Sequence, residues 1–190
     1  MPTYGMVLYF LMVEPQLMGR LPDKAKLVLG LITFIFTFLL PLISVLFLYK
    51  SGMISSLEMR TSRERLWPFF VTACCYWGMY YVLPGSRPEF EIIRALIIGA
   101  GISIFVTLLL NLISKVSAHM VGIGGIAGAF IAISWYLQLP LQGVIFALIF
   151  LAGVIGFARL ALNAHTPGQV YAGFFTGFIV QVIVFLWFML

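Results

Sequence analysis

Apolar runs of membrane length recur from one end of the chain to the other, and no other feature constrains the fold as strongly. The runs are roughly Tyr4–Met18, Leu27–Tyr49, Pro68–Leu83, Ile92–Ile113, Val121–Leu139, Gly143–Leu162 and Gly168–Leu190. A helix needs about 20 apolar residues to cross the hydrocarbon core of a bilayer. The runs are continuously apolar and do not alternate, which argues against a β-barrel. With 63% hydrophobic and 9% charged residues, and a mean hydropathy of +1.12, the chain lies outside the range of soluble domains. The expected fold is all-α: a polytopic transmembrane helical bundle forming one integral-membrane domain over residues 1–190. It has six full helices plus a short N-terminal apolar segment.

That first segment contains Glu14-Pro15 and is too short to span. It reads as a half-helix, an interfacial helix, or the end of a helix that begins outside this sequence. It has neither a basic n-region nor a small-residue cleavage site, so it does not read as a signal peptide. Pro41 predicts a kink and Pro140 a helix end. Cys74 and Cys75 are adjacent within an apolar run and read as small hydrophobes.

The net charge is +5, with most charges in the connections between apolar runs. Anionic headgroups and phosphate therefore suit the chain better than nucleic acid does. Counting crossings places Lys50–Trp67, Lys115–His119 and Arg159–His165 on one face. The positive-inside rule would make that face cytoplasmic. Cations retained for phosphate are poor topology markers, so the orientation stays open.

The only two histidines, His119 and His165, both fall on this face where one apolar run gives way to the next. Ionisable groups at such positions are functional-site candidates. No carboxylate lies near either in sequence, so an anion fits better than a metal. Thr166-Pro167 predicts a helix start directly after His165, and Ser117 predicts a cap before His119. Helix N-termini favour phosphate, and Arg159 offers a planar fork of donors. Gly124-x-x-x-Gly128 and Gly173-x-x-x-Gly177 lie on the two helices that follow the histidines. Such spacings let helices approach closely, and they predict that these two pair and bring His119 and His165 together. One histidine would then attack phosphorus while the other protonates the leaving oxygen. Lys115 and the arginines would stabilise the transferring phosphoryl group, with no metal and no cofactor.

In these residues the chain resembles the type 2 phosphatidic acid phosphatase superfamily. That family's pattern is Lys-x6-Arg-Pro, then Pro-Ser-Gly-His, then Ser-Arg-x5-His-x3-Asp. The corresponding stretches are Arg60-x6-Trp67-Pro68, Val116-Ser117-Ala118-His119 and Ala158-Arg159-x5-His165-x3-Gln169, covering roughly Arg60 to the C-terminus. The resemblance implies a membrane phosphatase acting on a lipid or isoprenoid phosphate or pyrophosphate. It implies His165 as nucleophile and His119 as general acid. Arg159, Ser117 and Lys115 would hold phosphate, and Gln169 would orient the nucleophile in place of the family's Asp. The first motif departs most, with Arg for Lys and Trp for Arg. Arg63 or Arg65 would supply the missing charge, and Glu64 the missing carboxylate if its loop folds over the site.

Two other classes fit the chain. One is a non-catalytic relative that binds or transports lipid phosphate, favoured by Gln169. The other is an unrelated small transporter, with Asn111 as its main deep polar residue. Membrane lipids are the expected surroundings; the oligomeric state is not legible.

Overall fold

The computed structural model describes residues 1–17, 21–57, 59, 61–84 and 88–189. Arg20, Glu58, Arg60 and Arg87 lie outside the described residues, and so does any role for Arg60 at the site. The chain is 83% helical, and no strand occurs among the described residues. The helices are α1 (Pro2–Leu8), α2 (Asp23–Phe34), α3 (Leu40–Lys50), α4 (Leu66–Val82), α5 (Pro88–Asn111), α6 (Ala118–Leu137), α7 (Gln142–Ala161) and α8 (Pro167–Met189). Five stretches are long and apolar enough to cross a membrane: Asp23–Lys50, Phe90–Asn111, Ala118–Leu137, Gln142–Ala161 and Pro167–Met189. The chain is an integral membrane protein by this measure. The sixth expected helix, α4, stands at the short end of the spanning range of about 17–25 residues. Its 17 residues reach about 25 Å at 1.5 Å each, against a hydrocarbon core of about 30 Å.

The N-terminal segment is helical and packs against the core. From α1 it continues through a π turn (Tyr9–Val13) and a 3₁₀ turn (Glu14–Gln16). Met6, Tyr9 and Val13 are buried in the core. Glu14, 1% exposed, ends the segment with its carboxylate 2.7 Å from Lys26 Nζ. It also accepts the Leu21 N–H at 2.7 Å. A buried carboxylate is tolerable only when paired in this way.

The break expected at Pro41 takes the form of a π turn, Ile35–Leu39, between α2 and α3. Proline lacks an N–H and crowds the carbonyl four residues back, here that of Thr37. The Tyr76 hydroxyl donates to that carbonyl at 3.5 Å. Thr37 Oγ1 also meets Thr3 Oγ1 at 2.9 Å, tying α1 to the span. At Pro140 the helix ends as expected: Gln138 takes a left-handed conformation (φ 52°) just after α6.

The central helix is α6, with 61% of its sampled stretch buried against 17% for α7. Its main partner is α8, and glycine sets the approach. A methyl on Gly177 would overlap the Val121 carbonyl, and one on Gly124 the Phe174 carbonyl. A methyl on Gly173 would stand 2.7 Å from the Ser117 carbonyl. The predicted pairing of these two helices is therefore present. It brings the start of α6 against the start of α8, where His119 and His165 lie.

Candidate phosphate site

Three connections converge at the α6 and α8 N-termini. The loop after α3 is pinned to α5 by Asn111, fully buried, whose Nδ2 donates to the Ser62 carbonyl at 2.6 Å. A 3₁₀ turn, Arg63–Arg65, then points Arg65 inward. Its Nε donates to the Met59 carbonyl at 3.1 Å, and Nη1 approaches the Val116 carbonyl at 3.5 Å. The fork thereby bridges two of the three connections.

The convergence encloses a cavity of about 800 Å³. Arg65, Lys115, His119, Arg159 and His165 all line it, beside Phe69 and the α6 residue Ala118. No carboxylate is among the described lining residues. Burial lowers the Arg65 pKa, and the neighbouring charge of Arg159 lowers it further. A guanidinium stays charged regardless, so the site concentrates positive charge that an anion would balance. No group of metal-ligating side chains stands together among the described residues.

His165 is buried, and its Nδ1 lies 3.0 Å from the Lys115 carbonyl. A carbonyl only accepts, so Nδ1 carries the hydrogen and neutral Nε2 keeps its lone pair. Burial is the largest influence on this imidazole and lowers its pKa below the ordinary value of 6.5. The Lys115 hydrogen bond pushes the other way. The charges of Arg65 and Arg159 lower it again, and a Gln169 contact raises it. The net direction is down, so His165 is held neutral.

Gln169 has more than one task. Its Oε1 accepts the Thr166 N–H at 3.1 Å, which is half of a capping box with Thr166 as N-cap and Pro167 first in the helix. Its backbone carbonyl accepts the Ser117 N–H at 3.3 Å. It therefore starts α8, stitches the Lys115–Ser117 strip to it, and touches His165.

Some expected roles shift. Ser117 occupies the N-cap position of α6, but its side chain makes no cap hydrogen bond. It is fully buried beside the cavity and not on its wall, and its Oγ has no partner among the described residues. Arg159 Nε also has none. Arg63 is exposed and does not line the cavity. Trp67, aligned with the family's arginine, is 53% exposed and packs edge-on against Phe70. Arg65, two residues earlier, brings the guanidinium instead. Glu64 does not fold over the site. Its carboxylate accepts from Ser55 N–H and Oγ and from Thr61, contacts that hold its pKa down to about 2. The roles of the Lys115 carbonyl and of Asn111 as a pin were not legible; a backbone acceptor leaves no mark in residue identity.

No known protein family, no curated protein and no solved structure matches the chain.

The geometry separates Arg65 from Arg63. Arg65→Ala is expected to weaken binding of inorganic phosphate or vanadate by about tenfold or more, the scale of a charge-assisted hydrogen bond. Arg63→Ala is expected to change it less than about twofold, as surface charges usually do. Calorimetric titration of the two variants checks this; equal effects would contradict the placement of Arg65.

Proposed function

We propose that the chain is a multi-pass membrane phosphatase of the type 2 phosphatidic acid phosphatase kind, releasing phosphate from a lipid or isoprenoid phosphate. The observation that carries this reading is the His165–Lys115 hydrogen bond. It leaves Nε2 unprotonated in a cavity whose charged walls are all cationic among the described residues. Nε2 attacks phosphorus, the P–O bond to the lipid breaks, and protonated His119 gives its proton to the leaving oxygen. Water then attacks phospho-His165, His119 takes the water proton, and inorganic phosphate leaves. Arg65, Arg159 and Lys115 hold the equatorial oxygens, where negative charge is greatest. The reaction needs no cofactor from outside the chain.

Gln169 also favours a second reading, a non-catalytic protein that binds lipid phosphate. A carboxylate would stabilise the imidazolium that a neutral amide leaves alone. The two readings part on one experiment: phosphate release from a panel of lipid and isoprenoid phosphates by purified protein in detergent, without added metal. Turnover by the wild-type chain supports the phosphatase. Saturable binding of the same lipids with no release, in both the wild type and Gln169→Asp, supports the binding protein.

The pH profile follows from the direction of the His165 shift. Neutral His165 is the attacking form, and its folded pKa lies below 6.5. The acid limb of kcat/KM should therefore fall below pH 6.5. Folding linkage has the same sign. The unfolded imidazole binds protons more readily, so this residue favours folding less as pH drops through 6.5 toward its folded pKa. An acid limb assigned to His165 at or above pH 7 would contradict the desolvated site.

A further inference from the structure

Asn111 ends α5 with a fully buried amide at the edge of a membrane span. A polar side chain taken out of water is unfavourable unless its groups are paired. Half of this one is not: Oδ1 has no hydrogen-bond partner among the described residues. Thr107, one turn earlier on the same face and also fully buried, returns its hydroxyl to its own helix at the Ser103 carbonyl. Asn111 instead reaches across to the loop after α3, where Nδ2 donates to the Ser62 carbonyl at 2.6 Å.

The place of that carbonyl gives the bond its meaning. Ser62 stands immediately before the 3₁₀ turn Arg63–Arg65, and its carbonyl also accepts the Arg65 N–H at 3.2 Å. One oxygen therefore closes the turn and ties it to α5. With the turn held at this point, Arg65 lines the phosphate cavity and Arg63 stays exposed outside it. The bonds from the guanidinium to the Met59 and Val116 carbonyls set where its fork lies; they do not fix the turn.

Stability gives little reason for an amide at position 111. Without Nδ2 the Ser62 carbonyl would keep the Arg65 N–H, so no buried acceptor would be orphaned. The unpartnered Oδ1 would go at the same time. Leucine has the branched shape of the amide and suits a membrane span better.

We propose that Asn111 is a positioning residue of the phosphate site: through the Ser62 carbonyl it holds the turn in the register that presents Arg65, and not Arg63, to the anion. This role rests on the phosphate-site reading.

The test uses the full chain in detergent, with Asn111→Leu, Arg65→Ala and the double variant beside the wild type. Calorimetric titration with inorganic phosphate comes first. Asn111→Leu should weaken binding by about tenfold, as Arg65→Ala does. Adding it to Arg65→Ala should change binding by less than about twofold, because a residue that acts through Arg65 has nothing further to lose. Independent effects would multiply to about a hundredfold and would overturn the proposal. NMR titration of His165 gives a second readout that needs no ligand. Burial lowers the pKa of this imidazole most, and the charges of Arg65 and Arg159 lower it further. Withdrawal of the Arg65 charge should raise it toward 6.5 in both single variants, with no additional rise in the double variant. General loosening of the site would add to the effect of Arg65→Ala instead. Wild-type phosphate affinity and an unmoved His165 in Asn111→Leu would also overturn the proposal. Thermal unfolding of Asn111→Leu should come within about 3 °C of the wild type; a larger fall, with affinity lost in step, would mark Asn111 as a structural pin only and overturn it. Asn111→Ala makes the same comparisons should the leucine variant fail to fold. A wild-type chain that binds no phosphate would overturn the site reading itself, and the His165 titration would then still decide whether Asn111 places Arg65.

Discussion

His165→Ala is expected to lower phosphate release by about 10⁴-fold or more, the scale seen when a covalent nucleophile is removed. Lipid-phosphate affinity should change far less, because Arg65 and Arg159 line the cavity independently of the imidazole. The split matters more than the size of the loss. A side chain that only shaped the cavity would affect binding and turnover together. Single-turnover phosphate release beside equilibrium binding separates the cases. Trapping of a labelled phosphoryl group in acid-labile linkage by the wild type, and its absence in His165→Ala, identifies the bond to nitrogen. Residual release within tenfold of the wild type would exclude His165 as nucleophile.

The largest structural effect is expected at Gly177. A Cβ there overlaps the Val121 carbonyl and would stand 2.7 Å from the Gly125 nitrogen. Both neighbours are backbone of α6, so no side-chain rotation relieves the overlap. Gly177→Leu should force α8 away from α6 and destabilise the fold by roughly 3 kcal/mol or more, at the upper end for overpacking. The opening propagates to the N-terminal ends, where Ser117 N–H is held by the Gln169 carbonyl. Loss of phosphate binding should accompany the loss of stability. The control is Gly153→Leu on α7, where an added Cβ meets nothing within 4 Å. Thermal unfolding in detergent reads both. A Gly177→Leu protein as stable as the wild type would contradict the close α6–α8 contact.

Much of this arrangement was legible in residue types. Apolar length marked most of the helices, because lipid imposes a minimum span. The glycine pairs marked the α6–α8 contact, because only a missing Cβ permits that approach. Five of the candidate site residues, Arg65, Lys115, His119, Arg159 and His165, share one cavity. The α1 segment was ambiguous because a short apolar run has the same composition at an interface and in a core. Its burial depends on partners far along the chain, such as Thr37 and Ile126. The choice among Arg63, Arg65 and Trp67 depended on a single 3₁₀ turn. Spacing counted along the chain cannot resolve such a turn, because it alters which of three adjacent residues faces inward.

The Lys115 carbonyl has a mutational consequence. When the acceptor for a histidine belongs to the main chain, the side chain at that position is released from the task. A change of side chain at position 115 would therefore leave the imidazole oriented as before, provided the local backbone path is kept.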